Sequence, residues 1–283
     1  MKIFKILVCI KQVPMVSELP WDAKTGTLKR ELAQGMMDPS SRRALEAGLQ
    51  IKENRAELGE KTQITVLSMG PAMAMETLYQ AKSLGADKGI LLSDRAMAGA
   101  DTFLTSFILA RFIKQEVPDV DLVLCGSQTS DSETGQVGPQ LAEELSIPAI
   151  GYAADIQLQG HKVRVQRHVD DFFEVLEMDL PGLVTIDQAA YTPRYAAFGG
   201  VQDAFGTTDI IRVDAKSLGL DENFNAVKDS PTRIVDVYSP TTRKENRVFK
   251  GTAKAVVDQL FEDYGKIISS AMGKDLKGQG EKI

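Results

Sequence analysis

The sequence predicts an α/β fold: a parallel, doubly wound sheet in three layers, with a small antiparallel extension and a C-terminal arm. Three observations carry that expectation. Between Lys2 and Leu145, short apolar runs alternate four times with stretches of helical spacing, the mark of parallel strands joined by right-handed crossovers. After Pro148 the period changes to that of antiparallel strands. Beyond Tyr191 the alternation fades until an amphipathic stretch near the C-terminus.

Taken in order, Lys2 to Ile10 alternates and then becomes wholly apolar, as suits a central parallel strand. Lys11 to Pro14 leaves it, and Asp22 to Arg30 reads as a small hairpin turning at Thr25-Gly26, with Trp21 as a packing residue. Asp38 is a good N-cap with Pro39 at the first helical position, so a helix runs to about Arg55. Its buried face holds Ala44, Leu45, Gly48, Leu49 and Ile51. Thr62 to Ser68 is the second strand, and Met69-Gly70-Pro71 turns into a helix ending near Gly85. Lys88 to Leu92 is the third strand. A small-residue loop, Ser93 to Thr102, leads into a helix from about Thr102 to Gln115.

The fourth unit is the most informative. Leu122 to Leu124 reads as a buried strand ended by Gly126, followed by a small, polar loop from Ser127 to Gly135. Val137, Leu141, Ala142 and Leu145 then recur at helical spacing. Strand, tight loop and helix in that order aim unpaired N–H groups and the positive end of a helix dipole at one spot, which phosphate commonly fills. The loop lacks the lysine of a P-loop and the G-x-G-x-x-G spacing of a dinucleotide fold. Asp131 and Glu133 would repel phosphate, so one of them is expected to cap the helix or hold a ribose hydroxyl, leaving Ser132, Thr134 and backbone N–H groups for phosphate. The same pattern also describes an ordinary capped turn. Three other loops leave the carboxyl ends of predicted strands, at Cys9 to Pro14, Ser68 to Pro71 and Ser93 to Thr102. Ligands of open parallel sheets bind at those ends, so the convergence of four loops points to a nucleotide site.

After Pro148, Ala153 to Gln159, Lys162 to His168 and Glu174 to Met178 alternate as antiparallel strands, and Val184 to Ile186 is a further short strand. Val213 to Leu220 is short and mixed, and Glu222 to Val248 is extended or irregular. Gly251 to Met272 is an amphipathic helix striped by Ala255, Val256, Leu260, Phe261, Tyr264, Ile267 and Ile268. Gly273 to Ile283 is a polar tail expected to be disordered. A striped helix after a segment with little core of its own suggests an arm lying on another subunit. The expected division is a nucleotide-binding domain over 1–200 and the arm with its helix over 201–283.

Composition narrows the function classes. The 283 residues are 43% hydrophobic and 25% charged, as in a soluble globular protein. A net charge of −6 leaves no excess cation for a nucleic-acid partner. No apolar run approaches a membrane span and the start resembles no signal peptide, so a cytoplasmic protein is expected. Cys9 and Cys125 lack metal-ligand spacing and read as core thiols. His161 and His168 fall in the predicted hairpin, which argues against a histidine-based catalytic centre.

The residues resemble the β subunit of an electron-transfer flavoprotein over nearly the whole chain. Val8-Cys-Ile-Lys-Gln-Val-Pro14, Asp22 to Leu28 and Asp38-Pro39 through Ala47 follow that family's pattern, and Pro193-Arg-Tyr195 sits in its late P-R-Y motif. Ser93-Asp-Arg-Ala-Met-Ala-Gly-Ala-Asp-Thr102 and Asp131-Ser-Glu-Thr-Gly-Gln-Val-Gly-Pro139 are similar to its nucleotide loops. These loops, and Gly199 to Phe205 in place of a lysine-rich run, look like the electron-bifurcating, two-FAD branch. Departures are Phe172 and Phe173 within the signature from Val165 to Thr185, and a short insertion at Asp221 to Asp229.

The resemblance implies an adenine-nucleotide hydrolase-like fold and a heterodimer with an α subunit that the C-terminal arm embraces. It implies FAD in the β-subunit site, with NADH as electron donor and a flavin dehydrogenase and a ferredoxin or flavodoxin as acceptors. The alternative is a simple carrier subunit holding structural AMP. A nucleotide sensor or pyrophosphatase of the same fold is a further alternative, and Lys11-Gln-Val-Pro14 after the first strand argues against the pyrophosphatase. Phe198 occupies the place of an apolar residue through which the family anchors its partner dehydrogenase. On this reading Cys9, Asp38, Ser68 and Met69 line the adenosine site, and Asp101 and Thr102 face the flavin or its ribityl chain. Gly126, Gln128, Thr134, Gly135, Gln136, Val137 and Gly138 hold the phosphates, with Cys125 and Asp131 beside them. No residue is assigned a catalytic or metal-binding role.

Overall fold

The structure is a computed structural model that describes residues 2–15, 35–206, 209–232 and 247–278. The hairpin expected at Asp22 to Arg30, and Trp21 with it, lie outside the described residues. The chain divides into two compact units, residues 1–233 and 234–283.

The first unit is built on a nine-stranded sheet. In chain order its strands are β1 (Phe4–Cys9), β4 (Thr62–Met69), β5 (Lys88–Leu92), β6 (Leu122–Gly126), β7 (Ala149–Gln159), β8 (Lys162–Val169), β9 (Phe172–Asp179), β10 (Gly182–Ile186) and β11 (Ile211–Val213). A separate two-stranded sheet pairs β2 (Gln12–Pro14) with β3 (Gly35–Met37) in antiparallel fashion. The large sheet has the order β11-β5-β4-β1-β6-β10-β7-β8-β9. Its pairings are parallel except for the two that β8 makes with β7 and β9. The doubly wound sheet with an antiparallel extension is therefore the observed architecture.

The core follows from strand alternation. In β1, Ile6 and Val8 face one layer and Leu7 the other, because successive side chains point to opposite faces of a sheet. On the first face pack α1 (Pro39–Glu57), through Ala44, Leu45 and Leu49, and α2 (Met75–Leu84), through Leu78 and Ala81. On the second pack α3 (Thr102–Glu116), through Ile108, Leu109 and Phe112, and α4 (Val137–Leu145), through Leu141 and Ala142. The chain winds outward from β1 through β4 to β5 and then crosses back to β6 on the other side of β1. The topological switch point lies between β1 and β6.

Three features depart from the sequence expectation. A short helix, α5 (Phe198–Gly206), occupies a stretch whose glycines read as loop. Gly200 explains it: a Cβ there would lie 2.6 Å from the Ser83 carbonyl oxygen, so α5 can seat against the end of α2 only with glycine. Phe205 then stacks on Tyr79 with ring centroids 5.2 Å apart. Second, β11 adds a parallel edge strand beside β5, and Leu218 and Ala226 are buried in the first unit, which extends the compact body past residue 200. A four-residue helix, α6 (Ala226–Asp229), is capped by Asn225. Third, the C-terminal helix, α7 (Ala253–Gly278), continues past Met272 into the stretch expected to be a disordered tail. The run Lys274 to Lys277 contains no glycine or proline to stop it.

Candidate functional site

The carboxyl ends of β1 and β6 form the floor of the candidate site. Cys9 and Cys125 lie directly opposite each other in the β1–β6 pairing, so both thiols project from the same face. The Cys125 thiol, and then burial, push the Cys9 thiol well above its ordinary pKa. Both cysteines are free, and a thiol held protonated, as that of Cys9 is, makes a poor nucleophile.

The loop from Ser127 to Gly135 is fixed from below by Asp38. This residue is fully buried and divides its two oxygens between two elements. Oδ2 caps α1 by accepting from the Ser41 N–H at 3.0 Å, and Oδ1 accepts from the Ser130 N–H at 2.8 Å. Gly126 sits where a Cβ would lie 2.6 Å from the Ser40 Cβ and 2.8 Å from its carbonyl carbon, so the first turn of α1 rests against the end of β6. Gly135 takes φ +64°, in the left-handed region that glycine enters without strain, and delivers the chain into α4.

The beginnings of the helices differ. Asp38 caps α1 and Asp101 caps α3, where its Oδ1 accepts from the Leu104 N–H at 3.0 Å. At α4 the capping position is Gln136 and no side chain caps it. The expectation that Asp131 or Glu133 caps this helix is not met, because Asp131 turns the other way. The Lys11 Nζ donates to Asp131 Oδ1 at 2.7 Å and the Thr129 hydroxyl donates to it at 2.8 Å. Burial raises the Asp131 pKa, but these hydrogen bonds outweigh it and hold the carboxyl below its usual range. The first N–H groups of α4 therefore have no capping side chain among the described residues, and the loop before them is tied through Asp131 to Lys11, just past the end of β1. That arrangement suits an anion.

Gly138 lies in the first turn of α4 but is buried against the sheet. A Cβ there would lie 2.7 Å from the Thr185 Cγ2 and 3.7 Å from the Cys125 Cβ. Its side is packing, and only its N–H is free to serve the site. Val137 is half-buried, Gln128 is half-buried in the loop, and Thr134 and Gln136 are exposed. Gln136 Oε1 accepts from the Thr102 hydroxyl at 2.8 Å, which ties the starts of α3 and α4 together. Asp101 is engaged within the protein: besides its cap, Oδ2 accepts from the Thr232 N–H at 3.0 Å and hydroxyl at 2.8 Å. Ser68 and Met69 end β4, the neighbour of β1 on the other side. Ser68 is 1% exposed and, among the described residues, its Oγ has no hydrogen-bond partner, which is rare for a buried hydroxyl.

The fifteen expected site residues thus share the carboxyl edge of the sheet, from β4 across to β6 and onto the starts of α1, α3 and α4. Lys11 lies in the first of the four loops, but its pairing with Asp131 depends on β1 lying beside β6. Further along this edge, an open groove of about 450 Å³ is lined by Ser93, Asp94, Arg95, Arg212 and Asp214. It exists because β11 pairs with β5. Among the described residues no cluster of histidine, cysteine or carboxylate side chains suits a metal.

On the opposite side of α1, Arg194 is clamped by two carboxylates. Its Nε and Nη2 donate to the two oxygens of Glu46 at 2.9 and 3.0 Å, and its Nη2 and Nη1 donate to Glu53. Its backbone N–H also donates to Glu46 at 3.1 Å, and Arg42 donates to its carbonyl at 3.0 Å. From this anchored segment Tyr195 and Phe198 project, 91% and 86% exposed.

Comparison with known proteins bears on the chain as a whole. The electron transfer flavoprotein domain matches residues 25–218. The chain is 38% identical over 257 residues to an electron transfer flavoprotein subunit beta of Thermoanaerobacterium thermosaccharolyticum, covering 91% of this chain and 96% of that one. It is 40% identical over 265 residues to the caffeyl-CoA reductase-Etf complex subunit CarD of Acetobacterium woodii, covering 92% and 99%. To protein FixA of Sinorhizobium fredii it is 34% identical over 267 residues, with 91% of each chain covered.

Proposed function

The chain belongs to the electron transfer flavoprotein family, as a β subunit with a part in electron transfer, and from that premise we propose that it binds FAD at the β1–β6 switch point and works in flavin-based electron bifurcation. In this reading it pairs with an α subunit and draws electrons from NADH. It passes them to a partner dehydrogenase and to a low-potential acceptor such as ferredoxin or flavodoxin. The observation that carries the site is the uncapped start of α4, standing over the switch point beside Lys11.

The residues fit an adenine dinucleotide. The Val137 and Gly138 N–H groups supply positive potential for phosphates, and the Lys11 ammonium offsets the Asp131 carboxylate nearby. Gln128 and Thr134 offer neutral polar groups along the same loop. The partnerless Ser68 hydroxyl gains a hydrogen bond from adenosine, which relieves a buried orphan. Asp38 holds the loop in place, and the Cys9 thiol, held protonated, adds no charge to its floor. FAD supplies the ability to take a hydride and to release electrons singly, while the protein supplies binding, orientation and electrostatics.

AMP in a simple carrier would use the same adenosine and first-phosphate contacts. Similarity to a subunit of a caffeyl-CoA reductase complex supports a partner that acts on a CoA thioester. Among the described residues no helix is long and apolar enough to cross a membrane.

The test is a stoichiometry. The chain is purified with its α subunit, the complex is denatured, and released FAD and AMP are counted per heterodimer. Two FAD and no AMP is the expected result. One FAD with one AMP makes it a simple carrier subunit, and neither nucleotide overturns the reading.

A further inference from the structure

Tyr152 belongs to none of the motifs that mark the site, yet the fold turns it toward the loop before α4. It lies in β7, where the pairing with β10 slips: Val184 faces Ile150, but Ile186 faces Ala153. The extra residue is accommodated by a bulge, and within it Tyr152 takes φ +61°. A bulky L-residue in the left-handed region is strained, and a bulge that re-aims one side chain is a recurrent device beside functional sites.

Its neighbours show where the bulge points. The Tyr152 N–H donates to the Thr185 hydroxyl at 3.0 Å. Thr185 is 3% exposed, and its methyl group is the one that packs against Gly138 in the first turn of α4. The phenol reaches further: a Cβ built on Gly135 would lie 3.7 Å from the Tyr152 hydroxyl oxygen. Tyr152 is 50% exposed, so the residue is not enclosed by the protein. The strained backbone, its buried anchor and the placement of the phenol lead to the same spot.

We propose that Tyr152 is a positioning residue of the nucleotide site, whose phenolic O–H donates to a phosphoryl oxygen of the ligand held at the start of α4. This rests on the nucleotide reading above and adds a donor that neither the loop nor the helix supplies. A neutral O–H to an anionic oxygen is a charge-assisted hydrogen bond. It complements the Lys11 ammonium and the α4 N–H groups by approaching from the β7 side.

The test uses the heterodimer stripped of its β-site nucleotide, with ADP and adenosine as probes in titration calorimetry. Tyr152→Phe is expected to weaken ADP binding by roughly tenfold, as befits loss of a hydrogen bond to a charged group, and to leave adenosine binding unchanged. ADP affinity that does not move, or an equal loss for ADP and adenosine, overturns the phosphate contact while the nucleotide site stands. A wild-type complex that binds neither probe removes the site and the contact together. Tyr152→Gly supplies an independent readout. With the left-handed strain relieved, the thermal midpoint of the nucleotide-free complex is expected to rise while ADP affinity falls. A purely structural tyrosine would instead lower both, and that result overturns the proposal.

Discussion

Single residues at this site do double duty, and their tests must separate the two jobs. Asp38 spends one oxygen on the start of α1 and the other on the loop at Ser130, so loss of the carboxylate disturbs a helix and a binding loop at once. Gly138 is more specific. Its missing side chain is what lets α4 sit 2.7 Å (measured to a would-be Cβ) from Thr185. Gly138→Val forces the first turn of α4 off the sheet and moves the N–H groups that face the ligand. The expected outcome is a complex whose β-site nucleotide is lost while the α subunit keeps its flavin, read by the nucleotide released on denaturation. Full nucleotide content in the variant would show that α4 does not form the site. The sequence marked this glycine as a contact; the structure gives it a packing reason, with the contact left to its backbone.

At the scale of elements, α1 is the strut of the first unit. Its start holds the loop through Asp38, and its middle holds the 188–195 segment through Arg43 to the Gln188 carbonyl and through the clamp on Arg194. Burial raises the Glu46 pKa, yet the hydrogen bonds from Arg194 and Gln50 prevail and hold it below the ordinary glutamate value. The Arg194 hydrogen bond lowers Glu53 as well. Groups with depressed folded-state pKa values stabilise fully above their unfolded value, here about 4.5, and lose that contribution as pH falls through the folded value. Glu46→Gln is therefore expected to cost roughly 1–2 kcal/mol at pH 7 and to flatten the loss of stability below about pH 4.5. The figure is below that of a fully buried pair because 30% of the Arg194 side chain stays exposed. Urea denaturation of both proteins across that pH range reads it, and parallel curves would show that the clamp contributes nothing. Elements with sustained apolar patterns were legible beforehand: β5 spans Lys88–Leu92 and α3 starts at Thr102, both as the sequence predicts. The three-residue β11 is too short to carry a period, and the glycines of α5 read as loop until Ser83 is seen beneath Gly200. Within the site, the loop from Gly126 to Gly138 was visible as composition. Lys11 and Tyr152 were not, because strand pairing brings one to Asp131 and a bulge in a distant strand turns the other toward Gly135.

At the scale of the whole chain, the two compact units carry different kinds of surface. The first buries its apolar residues in two layers around one sheet. On α7, in the second, Val257, Phe261 and Ile267 are exposed, which supports the proposal that this helix lies on another chain. Truncation before Gly251 is expected to lower the yield of the heterodimer while leaving the first unit folded, measured by co-purification with the α subunit and by circular dichroism. Undiminished co-purification would remove the arm from the assembly.

The grip on residues 188–195 has a consequence for how such a protein can diverge. α1 holds that segment by backbone carbonyls, one backbone N–H and a single arginine. Tyr195 and Phe198 contribute almost nothing to the interior, so drift at those positions meets little selection for folding. If these aromatics meet a partner, as proposed, a lineage can exchange one for another while its nucleotide loop, held by the cap of the same helix, stays as inherited.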